Sequence, residues 1–235
     1  MEPLTSSVIY KKLWENRLTT LDLDEHGPIQ DLNLLSLILQ KGNTSLESLT
    51  LNNLDVPSAN LVKFVDALRA NHGLKSLELN HIHMSEPELF ALSEALKNNK
   101  TLEHLAIREA DLTDDSMEIL KPGLVKNTSL VSLNFSDNLI QTRGISAIAA
   151  VIEKHPTLTT LSLGNNSISD ESAAALVRSI SPKTTLKFLA LNVDQLSAEN
   201  ITLLVSSLRA KKGNLLKAEC PKFRTDLSRF SQRNI

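Results

Sequence analysis

Histidine, cysteine and carboxylate side chains are where chemistry would start in this sequence. His81 and His83 stand one residue apart and His104 follows them, types that could ligate a metal ion. No carboxylate or second cysteine completes a ligand set around them. Cys220, the single cysteine, is either a nucleophile or a small buried apolar residue. It falls in an apolar slot of a repeated pattern, so the core reading is the expectation. No Gly-rich phosphate loop, His-Glu-x-x-His pair or Gly-x-Ser-x-Gly elbow is present. The expectation is a protein that is not an enzyme and that carries neither metal nor cofactor.

Composition narrows the field further. Of 235 residues, 41% are hydrophobic and 22% charged, ordinary for a folded chain, yet aromatics supply only 3%. A net charge of −2 lacks the basic excess of a nucleic-acid binder. One cysteine excludes an internal disulfide framework and fits a reducing compartment. No apolar run is long enough for a transmembrane helix, and Met-Glu-Pro-Leu-Thr at the start has no signal-peptide pattern. A soluble, cytoplasmic monomer is expected.

The elements that position these residues repeat. Leu-x-x-Leu-x-Leu begins at Leu18, Leu46, Leu74, Leu102, Leu130, Leu158 and Leu186, each start 28 residues after the last. A worn eighth copy begins at Leu215, with Ala218 and Cys220 in its later slots. Between these segments, apolar columns recur at helical i, i+3, i+7 spacing: Leu61, Phe64 and Leu68, then Leu89, Leu92 and Leu96, and so on to Ile201, Leu204 and Leu208. In the first unit Leu32, Leu35 and Leu39 sit one place early. Ser85 with Glu88 reads as a capping box, and Asp114, Ser169 and Ser197 read as N-caps. Each unit is a short strand, a loop and a helix. One unit cannot bury its apolar face alone, so the units must stack. Helices are about 10 Å wide and strands about 4.8 Å apart, so the stack bends with the sheet inside.

These residues resemble the leucine-rich-repeat family, and the 28-residue helical unit is similar to its ribonuclease-inhibitor-like subfamily. The resemblance implies an α/β solenoid: a right-handed arc with a parallel concave β-sheet and convex helices, whose members nearly all bind proteins. The family's turn Asn is kept at Asn138 and Asn166, nearly so at Asp194, and replaced by His26, Leu54, Ile82 and Ala110. Three parts are expected: an N-terminal capping helix over 1–17, seven repeats over 18–214, and a degenerate repeat with a C-terminal cap or basic tail over 215–235. Val8, Ile9 and Leu13 should face inward, with Trp14 in cap packing rather than acting as a binding anchor. In 221–235, Phe223, Leu227 and Phe230 suit a second capping helix, while Lys222, Arg224, Arg229 and Arg233 suit a basic tail.

On such a sheet, motif positions 3, 5 and 7 face solvent. Acidic residues gather at the N-terminal end, among them Asp22, Asp24, Glu25, Glu47, Glu78, Glu103 and Glu109. Phe188 stands as a bare aromatic beside Ala190 and Val193. Asp22, Glu78, His104, Arg108, Asn134 and Phe188 are the candidate partner-binding residues, Phe188 and Arg108 foremost because aromatics and Arg dominate hot spots. A solvated face without a ligand is the plainer alternative. The expected function is a non-catalytic protein-binding module whose partner has a basic surface. Its biological setting is either a bacterial effector acting in host cytosol or a eukaryotic cytosolic adaptor, and regulation of a GTPase is the alternative activity.

Overall fold

The structure, a computed structural model, describes residues 6–24, 32–180, 184–209 and 215–219. Strand and helix alternate throughout. The strands are β1 (Thr20–Leu23), β2 (Ser48–Asn52), β3 (Ser76–Asn80), β4 (His104–Arg108), β5 (Ser132–Asn134), β6 (Thr160–Ser162), β7 (Phe188–Asn192) and β8 (Leu215–Glu219). The helices are α1 (Ser6–Trp14), α2 (Leu32–Gln40), α3 (Ser58–Ala67), α4 (Glu86–Asn98), α5 (Asp114–Lys126), α6 (Thr142–Lys154), α7 (Asp170–Ser179) and α8 (Ala198–Arg209). The strands form one parallel sheet in chain order, and each helix packs on its sequence neighbours. Parallel pairing without strand exchange follows from the repeat, because each crossover helix returns the chain to the next place in line.

Register ties the sheet to the sequence. Asp22 pairs with Thr50, Thr50 with Glu78, Glu78 with Ala106, Ala106 with Asn134, Asn134 with Ser162 and Ser162 with Ala190. The last step differs from the sequence reading. β8 places Leu216 opposite Leu189 and Ala218 opposite Leu191. These two, not Ala218 and Cys220, therefore take the fourth and sixth slots, a shift of two residues that preserves the two-residue strand period. Cys220, Glu25, His26 and the 221–235 segment lie outside the described residues.

The Leu columns make the core. Leu49, Leu51, Leu77, Leu79, Leu161 and Leu163 are fully buried, as are Phe64, Leu92, Leu120 and Leu176 from the helices. Each such side chain contributes about 1.5–3 kcal/mol relative to exposure. The early-shifted Leu32, Leu35 and Leu39 of α2 are buried too. In α1, Ile9 and Leu13 face inward while Val8 is half-buried. Trp14 is 62% exposed, which corrects its assignment to cap packing. Leu13 takes the inward slot, and a helix turns about 100° per residue, so its neighbour swings out.

Three hydrogen-bonded columns join successive units. The first runs through Asn43, Asn71, Asn99 and Asn127 after each helix, all buried. Asn127 shows the pattern: its Nδ2 donates to the carbonyls of Leu96 (2.8 Å) and Asn99 (3.2 Å), and its Oδ1 accepts from the amides of Ser129 and Leu130 (both 2.8 Å). His155 occupies the next place. Its Nδ1 accepts from the amides of Thr157 and Leu158, but its buried Nε2 has no partner. Burial pushes its pKa down to about 4.

The second column lies at the helix starts. Asp114 is not the N-cap of α5. Thr113 is, in a capping box with Ser116, because its extended backbone turns the hydroxyl onto the Ser116 amide. Asp114 instead reaches forward, accepting from the amides of Gln141 (2.7 Å), Arg143 (3.2 Å) and Gly144 (2.8 Å) at the start of α6. A Cβ on Gly144 would come within 2.6 Å of that carboxylate, which explains the glycine. Asp170 repeats the device toward Ser197, and the Ser197 amide holds its carboxyl below the usual range. Ser169 and Ser197 accept from the amides of Ser172 and Asn200, as N-caps do.

Ser85 departs from the expected box. Its hydroxyl donates to the Glu88 carboxylate rather than accepting from a backbone amide. Glu88 is buried, which pushes its carboxyl up, yet hydrogen bonds from Ser58, Ser85 and two backbone amides outweigh this and leave it lowered.

The third column is the turn Asn. Asn138 donates to Ile107, Phe135 and Ser136 carbonyls and accepts from the amides of Ala110 and Leu112. Asn166 does likewise with Phe135, Leu163, Gly164 and the Ile140 amide. Leu54, Ile82 and Ala110 replace that column with buried apolar groups.

Candidate functional site

The sheet face opposite the helices brings the candidate residues into rows. Asp22, Glu78 and Asn134 share the row of motif position 5, and His104 and Phe188 share the row of position 3. Arg108 stands in the row of position 7, beside Asn80. Strands about 4.8 Å apart put His104 and Phe188 about 14 Å from each other, and Asp22 about 29 Å from Phe188. The six do not form one cluster. They mark a surface long enough for a protein segment.

Exposure separates them. Asp22 and His104 are exposed, while Glu78, Asn134, Arg108 and Phe188 are half-buried. Phe188 is thus not bare, and Ala190 beside it is buried. A single methyl group stands lower than Phe188 and Asn192 on the same strand. Ser136 and Gly164 at position 7 are buried as well, although that row was expected to face solvent. The Asn134 carbonyl turns back on its own strand and accepts from the Ser136 amide (3.0 Å).

Arg108 is anchored rather than free. Its guanidinium pairs with Asp137 at 3.0 Å, and Asp137 also accepts from Asn165 Nδ2 (2.6 Å), which in turn bonds Asn192. A parallel set of pairs joins His81 to Glu109 (3.2 Å) and His83 to Asp111 (3.6 Å). His81, Glu109, Asp137, Asn165 and Asn53 all sit at left-handed φ between 51° and 61°. The ion pairs and hydrogen bonds of His81, Glu109, Asp137 and Asn165 run along this loop rim from one unit to the next. These rim ladders were missed in sequence, where position 8 mixes residue types and shows no period. Among the described residues no group of three His, Cys, Asp or Glu side chains is placed to hold a metal ion. His81 and His83 instead each face one carboxylate.

Charge divides the face in two. Positions 3, 5 and 7 of β1–β4 include Asp22, Asp24, Glu78 and the neutralised Arg108. The same positions of β5–β7 carry no charged residue and include Phe188. Asp22 and Glu78 make no ion pair among the described residues, although Asn80 Nδ2 approaches Glu78 at 3.4 Å. Glu47 is partly spent on Lys75 at 2.9 Å, and that hydrogen bond and charge raise the lysine's pKa.

A leucine-rich-repeat family model matches residues 126–149 and 154–177, each span beginning in one helix and reaching into the next. The fold is a leucine-rich-repeat solenoid. Two solved structures share it. Actin-binding site 2 of leiomodin-1 superposes with a TM-score of 0.57 at 21% identity, over 66% of this chain and 90% of that one. The C-terminal domain of tropomodulin from Caenorhabditis elegans gives 0.55 at 14% identity, over 66% and 92%. A search of curated proteins by sequence returns no match. In this solenoid no helix among the described residues is long and apolar enough to cross a membrane.

Proposed function

We propose that this solenoid is a non-catalytic interaction module that grips a partner protein on its concave sheet, the partner presenting basic residues toward β1–β4 and an apolar side chain toward Phe188. The division of charge along the face is the observation that supports this reading. The carboxylates of Asp22 and Glu78 attract and orient a basic partner, acting mainly on encounter, while a half-buried aromatic supplies an anchor. The face has Ser, Thr and Asn elsewhere, which add adaptable hydrogen bonding. The reading extends to ribonuclease-inhibitor-like repeats, motivated by the 28-residue sequence period, with α1 as the N-terminal cap and a cytosolic, monomeric protein as the proposed working form, whether effector or adaptor.

The test is capture of binding proteins from cytosolic lysate by wild-type chain, by Glu78→Lys and by a Phe188→Ala, Arg108→Ala double variant, all checked by circular dichroism. The reading predicts a protein held by wild type and lost from both variants. Equal recovery by all three would remove the concave face from consideration.

A second reading is favoured by the leiomodin-1 likeness, since that structure is named for actin binding. Actin is then the partner. Co-sedimentation with filaments and pull-down of monomeric actin test it, and absence of binding in both would dismiss it. GTPase activation rests on no feature of this surface, and failure to accelerate hydrolysis by a panel of small GTPases would close that alternative.

A further inference from the structure

We infer that the N-terminal end of the solenoid is a second docking surface, built to take an acidic peptide segment through one apolar side chain. It is separate from the concave sheet and does not depend on the reading given for that face. The observation that starts it is Trp14, whose large ring is 62% exposed at the end of α1 when the rest of its helix has Ile9 and Leu13 buried. An indole left largely in water is costly for folding and valuable for binding, since Trp is the residue type most enriched among hot spots.

Beside it lies a shallow depression of about 70 Å³ with a mixed lining, apolar from Trp14, Leu13 and Ile38 and polar from Asn16, Lys41 and Asn43, with Gly42 at one side. Gly42 leaves its side open, for a Cβ there would meet nothing within 4 Å. A cavity of about 150 Å³ admits a benzene ring, so this one is on the scale of a single aliphatic side chain. The floor is rigid: the buried Asn43 donates to the Leu13 carbonyl and accepts from the Leu46 amide at 3.0 Å. Asn16 adds a second clamp by accepting from the Thr44 amide at 3.0 Å. The hollow therefore keeps its shape when empty.

Charge identifies the occupant. Lys41 lines the hollow and Lys11 precedes Trp14 by one helical turn; both are exposed and hold no ion pair among the described residues. Arg17 is committed to Glu15 at 3.2 Å. Two uncommitted lysines beside the exposed Trp14 ring complement a segment in which Asp or Glu flank Leu, Ile, Val or Phe. The lysine stems cover the apolar contact while the ammonium groups meet the carboxylates.

Trp14 is the chain's single tryptophan, so its emission reports this site and nothing else. The full chain is titrated with short Glu/Asp-rich peptides in which one central position carries Leu, Ile, Val or Phe. The same peptides with Ser at that position, or with Lys for the acids, serve as controls. Anionic phosphatidylserine vesicles and raised protein concentration are tested in parallel. A saturable blue shift is expected with the acidic apolar peptides alone, weakened about tenfold by Lys11→Glu with Lys41→Glu, and by added salt. The double variant keeps Trp14 and alters exposed positions only, so folding is preserved and the readout survives. No shift with any acidic peptide, an equal shift with the Lys-substituted set, a shift only with vesicles, or a shift that tracks protein concentration alone would each overturn the proposal.

Discussion

Replacing His155 with Asn should make the protein more stable, and more so in mild acid. His155 sits where Asn43, Asn71, Asn99 and Asn127 close the preceding helices, but its ring reproduces only half of their bonding. Nδ1 accepts two backbone amides as the Asn carbonyl oxygens do, whereas Nε2 is buried without a partner. Asn127 uses its amide nitrogen on carbonyls 31 and 28 residues earlier, and the equivalent carbonyls for position 155 belong to Leu124 and Asn127. Two hydrogen bonds gained, against the small void left by a shorter side chain, give about 1–2 kcal/mol at pH 7.

The pH dependence follows from the same burial. The folded pKa near 4 lies below the ordinary 6.5. Between those values the unfolded chain binds a proton that the folded chain refuses, so the stability present above pH 6.5 drains away as pH falls toward 4. That loss amounts to about 2 kcal/mol by pH 5 and about 3 kcal/mol in all. Urea unfolding at pH 7 and pH 5, followed by far-ultraviolet circular dichroism, measures both effects. The variant should gain at pH 7, and its advantage should roughly double or more at pH 5. A variant no more stable than wild type, or a difference that does not change with pH, refutes the reasoning.

Three further substitutions probe the columns that join the units. Asn127→Ala abolishes four buried hydrogen bonds and should cost about 3–4 kcal/mol in the same unfolding assay, among the largest single losses in the chain. Asp114→Ala removes three bonds to the start of α6 and should cost about 2 kcal/mol, with hydrogen exchange accelerating first at the Arg143 and Gly144 amides. Gly123→Ala would drive a Cβ to 2.3 Å from the Ser93 carbonyl oxygen, so α4 and α5 must part; thermal unfolding should move down by several degrees or more, and an unchanged midpoint would contradict the close approach.

The sequence made the fold readable because Leu at three fixed slots and the helical columns report burial directly. Their spacing reappears as strand register from β1 to β7. What stayed hidden was polar and directional. The Asn column at 43, 71, 99 and 127 is periodic and could have been found three residues before each repeat start. The forward reach of Asp114 was unreadable, since a carboxylate at a helix start looks like that helix's own cap. The candidate surface was legible in its rows but not in its heights: side-chain identity placed Phe188 and Arg108 on the face, while half-burial and the Asp137 pair depend on neighbours 28 or 29 residues away. Trp14 was misread for a related reason, because helix phase at a short terminal segment is set by which residue, here Leu13, wins the core.

Binding on the sheet face opposite the helices is the reading proposed for this solenoid. Its most direct test places a photo-crosslinking side chain singly at Ser132, Thr160 and Phe188 on the sheet, and at Phe90, Glu118 and Ser146 on the helical side, in otherwise wild-type protein exposed to cytosolic lysate. The account predicts one recurring partner crosslinked from the sheet positions and absent from the helical ones. Crosslinks confined to Phe90, Glu118 or Ser146 would move the binding face to the helices and contradict it.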